Sequence, residues 1–414
     1  MILNRYKWVL IGSACLLPVG GALGADKVEP YRMLRQEGAG FHGRVQETVD
    51  PRSLDSIRIG LLLPPVGPGA EAVRAGVAKA VAEANDRGGY QGVPFETVFR
   101  SDNGPWGIAA KQIAAFRYED NVWAILGGLD GHKTHLAELV AAKTWIPVVS
   151  PTATDLSIDY ANVPWVFRLA PDDVRRAAVI LDQAGRNGWR SLIIFRQGDR
   201  ESRTGVDRLL EEANRRRQPP ARVIEYEPQG MEGIADLFDG LPDGSFDAAV
   251  VWGQPAGTIA MMERIRRYSR DIPILIPAAE TLVGLGKASF EPGIIIAAAL
   301  PEPLRRSEEY RRFRAEIELT NGPVFHPWAA FGYDAARMVI HAIETGGLNR
   351  PRIRERLADI KFHGLSGIIS FDSLGGSTLT PTPVRWDNGR WVEVGSNGTL
   401  TGVIPPRSTN GRHH

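Results

Sequence analysis

Two patterns alternate along this chain. Short, nearly unbroken apolar runs are separated by longer segments whose apolar positions recur every three or four residues. The runs at 57–63, 95–99, 122–126, 146–150 and 165–169 read as buried strands. Between them, 71–86, 107–119 and the stretch after Asp130 read as helices. In 71–86, Val73, Val77, Ala80, Val81 and Ala84 fall on one face, and Arg87-Gly88-Gly89 ends the helix. A second series follows, with strands at 191–195, 222–226, 248–252, 273–276 and 293–299. Its helices are 174–187, 204–217, 233–241 and 256–268, the first capped by Pro171-Asp172-Asp173. Helices at 307–319, 328–345 and 350–360 come next, the second with Pro327 at its start. A strand at 367–371 and a hairpin at 383–394 around Asp387-Asn388-Gly389 close the pattern.

Strand–helix–strand units demand parallel strands. The reading is therefore α/β, as two series of similar size, with a cleft wherever the chain crosses between them. The stretch 122–156 organises the first series. Its strands end in Gly127-Gly128 and in Pro151-Thr152-Ala153-Thr154, so both polar turns lie at the carboxyl edge of the sheet, where open α/β sheets bind ligands. Amides at a helix N-terminus suit an anion there, and the threonines add hydroxyl donors. In the second series Glu280 lies just past a strand, placed to pair with a ligand cation across the cleft. Gln254, at the end of 248–252, and Trp106, one of ten tryptophans, are further lining candidates.

Length and charge narrow the function. A chain of 414 residues exceeds one compact core, so two domains are expected. The formal charge of +1 gives no basic excess for nucleic acid. Residues 1–24 have the form of an export signal: Asn4-Arg5-Tyr6-Lys7, an apolar run, then Gly20-Gly21-Ala22-Leu23-Gly24 before a cut at Ala25. The single cysteine, Cys15, sits in a weak lipobox and would leave with that signal, so no disulfide is expected in the mature chain. Residues 25–56 form an irregular lead-in and 395–414 a tail. No cofactor and no catalytic set is expected. Gly67-Pro68-Gly69-Ala70-Glu71-Ala72 has the dinucleotide outline but sits too far past its strand, and the following acid, Asp102, lies too far on. Gly127–Thr134 misses the P-loop spacing because His132 precedes Lys133. His132, His135 and Asp130 have spacing compatible with a metal, but solvated first-turn residues are the plainer reading.

Taken in order, IRIGLLLPPVGPGAEAVRAG, FRSDNGPWGIAAKQIAAFRYEDNVWAILGG, IPVVSPTATDLS, VFRLAPDDVRRAAVILDQAGRNGWRSLIIF, FGYDAARMVIHAIETGG and FHGLSGIISFDSLGG resemble the type I periplasmic solute-binding proteins. The branch is the Leu/Ile/Val-binding one that serves ABC importers, and the resemblance spans 57–394. It implies two Rossmann-like lobes joined by three crossovers, lobe one being 57–171 with 300–345 and lobe two 172–299 with 346–394. It implies a monomer that clamps a small polar ligand, amino-acid-like or a related organic acid or amide, and hands it to ABC permease subunits. A ligand sensor or accessory subunit on the same fold is the alternative, and a nucleotide-dependent enzyme using the Gly67–Ala72 turn is a remote one. By resemblance, Gly128, Leu129, Asp130, Ser150, Thr152, Ala153 and Thr154 hold a ligand carboxylate, and Glu280 its ammonium. Three departures stand out: Leu129-Asp130-Gly131-His132 replaces the usual serines, Asp199–Gly205 lacks the family's tyrosine, and the cysteine pair of lobe one is absent.

Overall fold

Ile57–Leu63 is buried at every position but Arg58, as a strand covered on both faces must be. The computed structural model describes residues 48–218, 220, 222–228, 246–283, 295–299, 307–322, 324–387 and 390–394, without the side chains of 106–109, 295, 299 and 390. The expected signal, Cys15, most of the lead-in, the helix at 233–241 and the tail lie outside these residues.

The first sheet contains β1 (Ile57–Leu63), β2 (Phe95–Ser101), β3 (Ile125–Gly127), β4 (Val148–Ser150) and β5 (Val166–Arg168). Their order is β2-β1-β3-β4-β5, all parallel. Helices α1 (Pro68–Asp86), α2 (Trp106–Tyr118), α3 (Gly131–Thr144) and α4 (Ser157–Ala161) follow successive strands. The second sheet takes β6 (Leu192–Gln197), β7 (Arg222–Tyr226), β8 (Ala248–Trp252), β9 (Ile274–Ile276) and β10 (Ile295–Ala299). Helices α5 (Asp173–Arg186), α6 (Arg200–Arg215) and α7 (Pro255–Tyr268) flank it. Then come α8 (Glu308–Asn321), α9 (Trp328–Gly346), α10 (Arg350–Ala358) and the two-stranded β11 (Phe362–Gly364) and β12 (Gly367–Ile369). The antiparallel hairpin β13 (Thr382–Asp387) and β14 (Arg390–Glu393) completes the second sheet, in order β14-β13-β10-β9-β8-β6-β7.

Each sheet has an apolar core on either face. One core joins β1 to α1, α8 and α9, and another joins β3 and β4 to α2 and α3. Two more sandwich the second sheet. Each fully buried Val, Leu or Ile contributes about 1.5–3 kcal/mol. The tightest joint is α1 on α9. A Cβ at Gly76 would stand 1.9 Å from the Ala329 carbonyl oxygen, so only glycine lets these helices approach this closely.

Three features differ from the expectation. First, Ile353, Leu357, Leu365, Ile369 and Leu379 lie in the core of β1 and α9. Residues 348–379 therefore pack with the first sheet, and the chain returns to the second sheet at Thr382 rather than near Gly346. Second, β3 begins at Ile125, not 122. The Val122 carbonyl accepts from Arg350 Nε (2.9 Å) and Nη2 (2.8 Å), and Trp123 lies 4.6 Å beneath that guanidinium. Third, α6 begins at Arg200, not 204, because Asp199 caps it by accepting from Ser202 N at 3.0 Å. At the end of the lead-in, Val49 N donates to Leu348 O at 3.1 Å and docks the chain on the first lobe.

Two crossings run side by side. Arg168 N donates to Gly375 O, and Ser377 N donates to Arg168 O, both at 2.9 Å. The Arg168 side chain is wholly buried and grips Asp159 with two hydrogen bonds of 2.9 and 2.6 Å.

Candidate functional site

Strand ends from both sheets face one another across the cleft, and its two ends differ. At one, the turn after β3 meets the turn after β4. Gly127 and Gly128 have φ of 149° and 75°, which glycine adopts without strain. The Gly128 carbonyl accepts from Ser150 Oγ (2.5 Å) and Thr134 Oγ1 (3.0 Å), and the Leu129 carbonyl from Thr152 Oγ1 (2.9 Å). Ser150, Thr152 and Ala153 are buried. The Ser150 and Thr152 hydroxyls thus donate to the neighbouring turn and brace it. Thr154 donates its hydroxyl to Asp173, and its carbonyl accepts from Asp173 N at 3.0 Å. Burial pushes the Asp173 carboxyl up to about 7, against the pull of Arg176 and Thr154. Asp130 is the N-cap of α3 and accepts from Lys133 N at 2.7 Å, so it serves its own helix.

Lobe two reaches this end through the first turn of α6. Arg200 Nη1 donates to Asp155 Oδ2 at 2.7 Å, and His132 N donates to Glu201 Oε1 at 3.1 Å. Burial, and then Asp130 nearby, raise the Glu201 carboxyl. Burial also raises Asp155, but Ser157 and Arg200 outweigh it and hold that carboxyl below its usual range. His135 is turned the other way: its Nδ1 meets Glu138 Oε2 at 2.5 Å and its Nε2 meets Ser157 Oγ at 2.8 Å. Among the described residues no cluster of three His, Cys, Asp or Glu is arranged to hold a metal.

At the crossover end, Glu280 stands on a short 3₁₀ turn, Ala279–Leu282. The hairpin fixes that turn, since Trp391 Nε1 donates to Ala279 O at 3.0 Å. Arg176 Nη2 reaches Glu280 Oε1 at 3.0 Å, with both side chains largely buried. Beside the pair lies a cavity of about 80 Å³. Its other walls include Phe331 and Tyr310 from lobe one, Trp391 from lobe two, and Pro171 and Pro381 from two crossings. His326 is close by; burial lowers its ring, opposed by Glu280.

The ten anticipated residues thus fall in different places. Gly128, Leu129, Asp130, Ser150, Thr152, Ala153 and Thr154 share the first end, and Glu280 alone lines the cavity. Gln254 caps α7 on the second lobe, its N donating to Gln197 Oε1 at 3.0 Å, and is exposed. Trp106 opens α2, and its side chain lies outside the described residues. Sequence reasoning missed Arg176, Arg200 and Glu201. The Asp199 cap was the available signal for the last two.

The family model described as periplasmic binding protein matches residues 56–385, and the chain belongs to that family. Among solved structures, the branched-chain amino acid transporter substrate binding protein LivJ from Streptococcus pneumoniae, in complex with isoleucine, superposes with a TM-score of 0.69 at 20% identity, covering 81% of this chain and 97% of that one. An R. palustris ABC transporter solute binding protein in complex with benzoate gives 0.69 at 16%, covering 82% and 96%. Among curated proteins, glutamate receptor 3.2 of Arabidopsis thaliana is 21% identical over 326 residues, 70% of this chain and 33% of the receptor. Metabotropic glutamate receptor-like protein E of Dictyostelium discoideum is 24% identical over 279 residues, 62% and 34%. The chain spans about a third of the length of these relatives. Its fold is the two-lobed solute-binding one.

Proposed function

Taking that family as the premise, we propose that this chain is the exported solute receptor of an ABC importer. It captures a compact organic molecule between its lobes and presents the closed form to the permease subunits. Its work is binding and closure, with hinge segments absorbing the motion and no bond made or broken. We place it in the periplasm, a reading supported by its family and by the export signal expected at residues 1–24.

One observation carries this reading: the cavity beside Arg176 and Glu280, which draws walls from both lobes and from two crossings. Lobe separation opens such a cavity and closure seals it. Aromatic and proline walls suit an apolar ligand body. The Arg176–Glu280 pair offers a donor and an acceptor to a polar head, so an amino acid, organic acid or amide of modest size fits its chemistry. Thr152, Thr154 and Asp130 brace the opposite end and shape the cleft without being the main hold on the ligand.

The test is a thermal-shift screen of the mature protein with leucine, isoleucine, glutamate, benzoate and their amides, alongside NAD and ATP. A ligand that binds only the folded state raises Tm by mass action. Stabilisation by one of the small acids or amides is expected. Stabilisation by NAD or ATP alone would overturn the reading.

A further inference from the structure

The first turns of helices α3 and α6 meet across the cleft, where His132 N donates to Glu201 Oε1 at 3.1 Å. Asp130 caps the first and Asp199 the second. A helix N-terminus carries a partial positive charge, so two of them brought close repel unless an anion lies between. Here the chain supplies that anion itself. Glu201 sits in the first turn of α6, where it complements its own helix, and it also accepts from the His132 amide of α3. Its second oxygen, Oε2, is buried and accepts no hydrogen bond from protein. Arg200, one residue earlier, crosses in the same direction to Asp155 and stands 3.5 Å from Ser157 Oγ. Asp155 is itself held by Ser157 N at 2.9 Å, so the acceptor is rigid.

The seat for this crossing is a glycine. A Cβ at Gly131 would stand 2.6 Å from Asp155 Oδ2 and 2.9 Å from Arg200 Nη1. The first residue of α3 is therefore part of the contact, because any side chain there would push the guanidinium off its carboxylate.

From this geometry we infer that Arg200 and Glu201 are specificity-determining residues that latch the lobes together. Glu201 occupies the α3 amide that a ligand carboxylate would otherwise reach. This rests on the reading of the cleft as a ligand site, and deepens it in two ways. The protein closes without waiting for a ligand anion at α3. The ligand's polar head is instead selected at the Arg176–Glu280 end. The latch is built from one ion pair with a partly exposed arginine and one amide hydrogen bond, so it biases the equilibrium towards closure and still permits opening.

Small-angle scattering of the purified mature protein, with no ligand added, tests this directly. The wild type is expected to give the smaller radius of gyration, and the double variant Arg200→Ala, Glu201→Ala a larger one, with unchanged far-UV circular dichroism. Gly131→Val attacks the same contact from the other lobe and is expected to shift the radius the same way. Should the double variant misfold, Gly131→Val and the charge-only change Glu201→Gln keep the question open to measurement. Equal radii for the wild type and every folded variant would overturn the latch. Because no ligand enters this experiment, its outcome is separate from that of the thermal-shift screen, which alone decides the solute-binding reading.

Discussion

The two ends of the cleft are built on opposite plans. At the α3–α6 end, hydroxyls, carboxylates and amides are spent on one another: Ser150 and Thr152 on carbonyls, Asp130 on its helix, Glu201 and Arg200 on the opposite lobe. At the crossover end, one arginine and one glutamate stand beside a cavity walled by Phe331, Trp391 and prolines. A region that spends most of its polar groups on one another holds shape. A region that leaves a charged pair beside apolar space has something to offer a ligand. The difference teaches that sharing an edge of the sheet does not give two turns the same task.

The comparison can be broken most forcefully where the two crossings run side by side. Arg168→Ala leaves Asp159 buried without its partner, and removing one member of a buried pair costs about 3–5 kcal/mol. Urea unfolding should register that loss, with both ends of the cleft disturbed together. A loss below about 1 kcal/mol would mean that Asp159 finds another partner.

Asp102 gives a prediction with a sign. It directly follows β2, its two carboxylate oxygens are buried without hydrogen bonds, and burial pushes it up to about 6 against the attraction of Lys133. A raised acid binds its proton more tightly when folded. Its contribution is therefore full below the unfolded value of about 3.9 and is lost as pH rises through 6. Asp102→Asn should flatten the fall in stability between pH 4 and pH 7, gaining on the order of 2 kcal/mol at neutral pH. A pH series of chemical melts checks it; a loss of stability at pH 7 would refute the assignment.

Within the cleft the expected effects are smaller for stability and sharper for binding. Arg176→Ala should weaken ligand binding tenfold or more, about 1.4 kcal/mol, while the fold survives. Thr154→Val removes the hydroxyl that donates to Asp173 and should cost about 1 kcal/mol of stability with affinity nearly unchanged. Calorimetric titration of both variants sharpens the contrast between a bracing turn and a binding end.

Much of the fold was legible because buried parallel strands write themselves as unbroken apolar runs, as at Ile57–Leu63 and Ala248–Trp252. The second sheet's terminal hairpin was equally plain. What escaped was carried by polar residues. Arg-Glu-Ser-Arg at 200–203 has no apolar period, so the first turn of α6 reads as loop, although Asp199 carries the cap signal. Arg176 looked like one more helix residue, because nothing in sequence announces that it points at a glutamate 104 positions away. The sequence puts the return to lobe two too early, because α10 and β12 read as a helix-and-strand continuation of it. Their apolar residues, Ile353 and Ile369, give no hint of which core they enter.

The most direct measurement of the central claim is a calorimetric titration with whichever compound of the screen raises Tm most, run on the wild type, Arg176→Ala and Thr152→Val. If the crossover end holds the ligand, Arg176→Ala loses at least tenfold in affinity and Thr152→Val keeps it within about twofold. The reverse order, with Thr152→Val the damaged variant and Arg176→Ala unaffected, would contradict the account and return the ligand to the β3 and β4 turns.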